Sequence, residues 1–580
     1  MSRRSDKTEE SNQQKQPDTE MKKAEEQESS SAFGREKEPQ RRLPVGLKGV
    51  RKAWLKQWGG RPPGPILLLL GMLTALVMGL PILYVVVRSF TAGADRWMTI
   101  LDDRIPGLLW NTLTLTFMVT LFALILGVSL AWIVNRTDIP FKRGWQWMLA
   151  LPLVIPPYIG GAVYIMILGP VGWLSQFWEE GRVFAGWFGG YPLEIYSFWG
   201  VVFVLTLFTF PYVFLITMAS LRKMNRNFEE VARSQGLSTS HIFWRVNLPF
   251  LRPAMGAGAI LVILYVLSDF GAIAILRYTT FTAAIYYQMG SYDNLSATVL
   301  SVVLIAITLV VLWTEAKTRK KNAYYQTSNT FKEPDTLRLG KWKIPALLYV
   351  FIVFSFSVLV PIVVLLYWTY IGIGEGVIDS DFWEYTWNSI RVSGYAALIC
   401  MLLAIPIIYL KSRYPSPITA FIDKLSYAGY ALPGVIVALG IIFVFNEHIP
   451  WLYNTYYLIA LAFVLRFLPQ AMQSGEASLS LISPRIDEAA RSLGHPPWKV
   501  MFKVILPSIM PGVLAGGALV FVSAIKELPA TLLLRPPGFD TLAVRIWYET
   551  NESFYHYAAP AALVIILISL LPLRYLLKKY

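Results

Sequence analysis

Glu230-Val231-Ala232-Arg233-Ser234-Gln235-Gly236 runs on to Val246-Asn247-Leu248-Pro249, and 258 residues later the pattern returns. The second copy reads Glu488-Ala489-Ala490-Arg491-Ser492-Leu493-Gly494 and runs on to Val504-Ile505-Leu506-Pro507. In both, a glycine follows the glutamate by six residues and Leu-Pro follows after twelve more. The spacing predicts a short helix, a turn and a second short helix. Glu230 and Glu488 are expected near the start of the first helix, where negative charge suits the dipole. Ala232, Ala489 and Ala490 are small enough to let another surface approach. Gly236 and Gly494 let the backbone leave the helix through left-handed conformations. The segments that follow mix aromatic and basic residues (Phe243, Trp244, Arg245; Trp498, Phe502, Lys503) and read as amphipathic helices on a membrane surface, stopped by Pro249 and Pro507. One such loop could be a mere anchor for a bundle. Two copies favour a docking element for two identical partners.

The rest of the chain is built for lipid. Of 580 residues, 55% are hydrophobic and only 15% charged, against about 25% charged in an ordinary soluble domain. A bilayer-spanning helix needs about 20 apolar residues. Twelve stretches qualify: 64–87, 108–134, 144–168, 199–219, 253–275, 295–315, 344–369, 387–410, 425–445, 455–473, 511–533 and 558–577. Pro81, Pro156, Pro211 and Pro572 fall inside them, which membrane helices tolerate. With a cytoplasmic N-terminus, the inside segments after residue 40 hold 34 Lys and Arg and the outside segments 7. That bias places both termini in the cytoplasm and locates the formal charge of +15 there, with no need of a nucleic-acid partner. Residues 1–40 carry 8 basic and 10 acidic side chains and almost nothing apolar, so the tail 1–62 is expected to be disordered rather than a secretory signal. One cysteine, Cys400, and four scattered histidines suggest neither a disulfide scaffold nor a metal site.

The spans repeat. Trp110-Asn111-Thr112 opens the second and Trp387-Asn388-Ser389 the eighth, at an offset of 277 that Arg136 and Arg413, and Pro156 and Pro433, also keep. From Pro211 and Pro469 onward the offset is 258; the difference of 19 falls on the external loop 169–198, where insertion is cheap. Six spans per half return the chain to its starting side, so the repeat is parallel, about an axis along the membrane normal. The expected domains are 63–315 with loop 229–249, a basic linker 316–343, and 344–580 with loop 487–507.

Here the residues resemble a known pattern. Glu-Ala-Ala-x3-Gly-x9-Ile-x-Leu-Pro is the signature loop of the permease subunits of bacterial ABC importers. The second copy departs only at Val504, the first at Val231 and Val246. The resemblance implies an all-α polytopic fold of about twelve transmembrane helices in two parallel six-helix repeats, in the inner membrane. It implies that Glu230, Ala232, Gly236, Leu248 and Pro249, with Glu488, Ala489, Ala490, Gly494, Leu506 and Pro507, form coupling loops for two copies of an ATPase subunit that carries the ATP and magnesium. The chain itself lacks a phosphate-cradling Gly-x4-Gly-Lys-Ser/Thr loop; Gly340-Lys341-Trp342 is the nearest approach. A separate binding protein would deliver substrate to the external face.

Ionisable groups inside a bilayer are functional candidates. Asp269 in the fifth span and Glu527 in the eleventh share the 258 offset, and both lie about 24 Å from the cytoplasmic helix end at about 1.5 Å per residue. Gly271 and Pro529 follow them and invite a bend. The two acids could line a cation path or gate. They could equally be charge partners of Lys526, Arg466 or an external arginine; Arg466, whose counterpart is Phe208, is the expected partner of one of them. The stretch Lys526-Glu527-Leu528-Pro529-Ala530-Thr531 through Arg535-Pro536, then Asp540-Thr541-Leu542-Ala543, is similar to the iron(III) permeases, whose fused form matches this length. Thiamine permeases are close relatives and polyamine permeases more distant. The external acids Glu179, Glu180, Asp379, Asp381 and Glu384 offer hard oxygen to iron, or a rim or dock for a binding protein. An ion-coupled secondary transporter working through Asp269 and Glu527 is the reading of another class. A membrane-embedded enzyme would need a catalytic cluster that the sequence does not offer.

Overall fold

Helix α1 (Pro65–Phe90) shows how this sequence makes a span. Thr74, Ala75, Met78 and Val85 are buried against the bundle, while Ile66, Leu69, Leu73 and Leu83 on the other side stay more than half exposed. A helix that is apolar on both faces is stable only where its outer face meets lipid. The same logic recurs along the computed structural model, which describes residues 58, 62–180, 194–319 and 336–578. Most of the tail expected to be disordered, residues 181–193 of the 169–198 loop and most of the 316–343 linker lie outside the described residues; within that loop, Trp173–Glu180 is helical.

The long helices that follow are α2 (Ile105–Arg136), α3 (Pro157–Leu168), α4 (Phe198–Arg222), α5 (Leu248–Ser268) and α6 (Asn294–Arg319), then α7 (Gly340–Gly374), α8 (Ser380–Arg413), α9 (Gly434–His448), α10 (Tyr456–Leu479), α11 (Leu506–Ile525) and α12 (Tyr555–Lys578). Among the described residues, 10 helices are long and apolar enough to cross a membrane, or 11 if the pair Pro417–Tyr430 and Gly434–His448, bent by 110°, counts as one; α12 contributes a shorter apolar helix, Tyr555–Leu570. In each half the second, fourth and fifth helices pack on one another: α2, α4 and α5, then α8, α10 and α11. The first helix of each half crosses to the other half, α1 onto α9 and α7 onto α3. The α1–α9 contact is close: a Cβ on Gly440 would meet the Pro81 Cβ at 2.8 Å.

The repeated Trp-Asn-Thr/Ser opening acquires a role. Asn111 Nδ2 donates to the Thr279 carbonyl (3.1 Å) and Asn388 Nδ2 to the Asp540 carbonyl (3.2 Å). The next hydroxyls, of Thr112 and Ser389, accept from the amides of Phe281 (3.3 Å) and Leu542 (2.9 Å). Those amides open helices Phe281–Gly290 and Leu542–Asn551, which lie in stretches the sequence reading treats as external loops.

Several expected spans are broken. The 253–275 stretch ends its helix at Ser268 and resumes at Gly271–Ile275; 511–533 stops at Ile525 and resumes at Pro529–Leu534. Residues 144–168 divide into Lys142–Met148, a turn at Leu151–Leu153, and α3, with Pro156 as the cap rather than an internal proline. Pro249 and Pro507 do not stop their helices. Wide turns at Phe243–Asn247 and Met501–Ile505 carry the chain into α5 and α11, where a proline in the first turn lacks only an N–H that needs no partner.

Candidate functional site

The two loops fold alike. Helix Asn227–Ser234 ends at Gly236, with φ of 80°, and helix Pro484–Ser492 ends at Gly494, with φ of 82°. The Gly236 amide donates to the Arg233 carbonyl (2.9 Å) and the Leu237 amide to Ala232 (3.2 Å); Gly494 to Arg491 (2.9 Å) and His495 to Ala490 (3.3 Å) repeat the pattern. These paired bonds satisfy the last carbonyls of each helix and require the left-handed residue, which is why glycine stands there twice.

Glu230 lies in the first turn of its helix and pairs with Arg226 Nε at 2.6 Å. Glu488 is the fifth residue of its helix, so the expected dipole role falls instead to Asp487 in the first turn. Ala232 is buried within the chain, whereas Ala489 is exposed and Ala490 half-buried. Leu248, Pro249 and Leu506 are half-buried and Pro507 exposed. Phe228, Val231, Trp244, Leu493, Trp498 and Phe502 are each more than half exposed around these loops.

The second constellation is a cavity of about 260 Å³ between the halves. Asp269, Lys526, Glu527 and Arg466 all line it, so the four candidates from the spans meet in one place. They sit there because the fifth and eleventh helices break beside them. Asp269 Oδ1 accepts from the amides of Ala272 (3.0 Å) and Ile273 (3.3 Å), and Glu527 Oε1 from that of Ala530 (3.4 Å). Each acid thus caps the short helix that follows the break. Arg466 forms an ion pair with Glu527. Lys526 Nζ reaches across to the first half and donates to the Leu153 carbonyl at 3.2 Å. A Cβ on Gly434 would meet the Glu527 carboxylate, and Arg466 Nη1 at 2.8 Å, so glycine there is the space the ion pair occupies. The sequence reading missed Tyr158, Tyr212, Tyr265 and Tyr430, and the Ser523–Gln470 hydrogen bond (2.9 Å), all on the cavity wall. Tyr158 follows the Pro156-Pro157 pair that caps α3, a local signal for its position; the other three carry none. Among the described residues no three His, Cys, Asp or Glu side chains gather as metal ligands.

The family model for the binding-protein-dependent transport system inner membrane component matches twice, over residues 123–316 and 398–576. The chain belongs to this family. Each copy takes in one of the two loops and one of the two cavity acids of the permease. Its relatives agree. A Haemophilus influenzae protein named Fe(3+)-transport system permease protein FbpB 2 is 35% identical over 530 residues, 90% of this permease and 99% of the relative. The Ferric transport system permease protein FbpB of Actinobacillus pleuropneumoniae is 22% identical over 479 residues, 79% of this permease and 69% of the relative. The Sulfate transport system permease protein CysW of Escherichia coli is 28% identical over 231 residues, 38% of this permease and 75% of the relative. The permease is therefore a multi-pass inner-membrane protein of two fused repeats.

Proposed function

We propose that this permease is the transmembrane subunit of an ATP-driven importer that carries iron(III) across the cytoplasmic membrane by alternating access. The observation that carries the reading is the doubled loop, two helix–glycine–helix units of one geometry with apolar side chains exposed around them. Phe228 and Val231 on the first loop helix, and Leu493 at the end of the second, are exposed surface of the kind a protein partner covers. Two copies of a separate ATPase subunit, holding the ATP and magnesium, dock there with Glu230, Gly236, Glu488 and Gly494 at the contact. Both termini and both loops face the cytoplasm, as the basic residues require. A binding protein delivers substrate from outside, and the cavity around Asp269, Lys526, Glu527 and Arg466 is the path or gate. The choice of iron follows the Haemophilus influenzae relative, which this chain spans almost end to end.

The test is uptake by cells with and without the chain, offered iron(III), thiamine, putrescine and sulfate in turn. Loss of iron uptake alone on deletion supports the reading. Unchanged iron uptake together with loss of another substrate overturns the choice of iron. Uptake that persists without an ATPase subunit favours the ion-coupled alternative.

A further inference from the structure

Each loop is tied to the rest of its half at a second place. Arg136 is the last residue of α2, and its guanidinium forms an ion pair with Glu229 of the first loop; their side chains are only 1% and 3% exposed. Arg413 is the last residue of α8, and its Nε lies 2.9 Å from Asp487 Oδ2 of the second loop, the side chains 7% and 8% exposed. Arg413 Nη2 also donates to the Ile482 carbonyl (3.1 Å), and the Tyr409 hydroxyl to Asp487 (3.4 Å). One turn before Arg136, the Trp132 ring meets Phe243 edge-on at 4.7 Å, at the start of the wide turn into α5. The arginines share the offset of 277 and the acids that of 258, so the pair is built twice from residues 93 and 74 apart in sequence.

A buried ion pair adds little net stability compared with an apolar pair of the same shape, but breaking one exposes a buried charge. It therefore holds two elements in one relative position. Building on the docking reading above, we infer that Arg136–Glu229 and Arg413–Asp487 are positioning residues, two latches that make α2 and α8 move with the helices on which the ATPase docks. Movement at a docking helix then reaches its half by two routes. One is the continuous chain through the wide turn into α5 or α11, which ends at Asp269 or Glu527. The other is the latch into α2 or α8, whose far end holds, through the Thr112 or Ser389 hydroxyl, the first amide of helix Phe281–Gly290 or Leu542–Asn551.

The test uses the assembled importer. The variant R136Q/R413Q should still hydrolyse ATP but import at least about fivefold less iron per ATP, the lower range for a coupling between sites. R136K/R413K keeps both charges but cannot reproduce the several guanidinium donors, so it should retain more of the ratio than R136Q/R413Q and less than the parent. An unchanged ratio in R136Q/R413Q, or a lysine variant as uncoupled as the glutamine one, overturns the latch. A second measurement leaves both latches intact. Spin labels at exposed Ser412 on α8 and exposed Ser492 on its docking helix should keep their separation within about 2 Å on ATP binding, while a Ser234–Ser492 pair across the two docking helices shortens. A Ser412–Ser492 change as large as the Ser234–Ser492 change overturns the inference. No ATP-dependent change in Ser234–Ser492 contradicts the docking reading itself, and the latches fall with it.

Discussion

Replacing Glu527 by glutamine should destabilise the bundle and should do so through Arg466. The carboxylate is 8% exposed and the guanidinium 14%, so the pair lies in a wall that water barely reaches. Removing one partner of a buried pair costs about 3–5 kcal/mol because the other charge stays buried and uncompensated. Arg466 keeps some access to the cavity, which argues for the lower end, about 3 kcal/mol. The hydrogen bond that the Ala530 backbone N–H donates to the Glu527 side chain can be accepted by the glutamine oxygen, so little of that loss comes from the helix cap. E527Q/R466M removes both charges and should recover about 2 of those roughly 3 kcal/mol relative to E527Q, so its loss falls well short of the sum of the two single variants. The assay is the fraction of purified chain still monodisperse after graded heating in detergent, for the parent, E527Q, R466M and the double variant. A double variant as unstable as the sum of the singles would refute the pairing. So would a single variant as stable as the parent.

Three further predictions follow from local geometry. G236A/G494A places a side chain at a left-handed residue in both loops, at about 1 kcal/mol each, and should weaken ATPase retention during purification; G236P/G494P should abolish uptake while the chain still reaches the membrane, which immunoblotting of membranes and an uptake assay check together. G434V drives a side chain into the Glu527–Arg466 pair and should reduce uptake more sharply than G256V, where a Cβ meets nothing within 4 Å; equal uptake by the two would contradict the assigned contact. The Leu339 amide, donating to Asp138 at 2.9 Å with Lys343 Nζ at 3.5 Å, holds the Asp138 carboxyl below the usual range. A depressed folded value means that this tie is present above the ordinary carboxylate pKa of about 3.9 and is lost as pH falls through the lower folded value. D138A, which removes the acceptor, should therefore reduce exchange protection of the Leu339 amide at neutral pH, where the parent keeps it.

The apolar runs made the spans legible, because lipid demands about 20 apolar residues whatever surrounds them. Two exact-offset features, the Trp-Asn-Thr/Ser opening and the loop glycines, made the duplication legible. The breaks beside Asp269 and Glu527 were foreshadowed by Gly271 and Pro529, but where the helices stop depends on capping amides that composition does not reveal. Arg136 and Arg413 stood out as a repeated pair; their acids did not, because Glu229 and Asp487 sit one residue ahead of the repeated glutamates and meet the arginines only in three dimensions. Pro249 and Pro507 misled for a physical reason: a wide turn ahead of each lets a proline begin a helix that it would otherwise end.

The most direct test of the central claim is uptake by proteoliposomes that contain this chain with its ATPase subunit, supplied with iron-loaded binding protein outside and ATP inside. The account predicts iron accumulation that needs ATP and the binding protein and is lost in G236P/G494P. Iron accumulation driven by an ion gradient without ATP, or unaffected by that double variant, would contradict it.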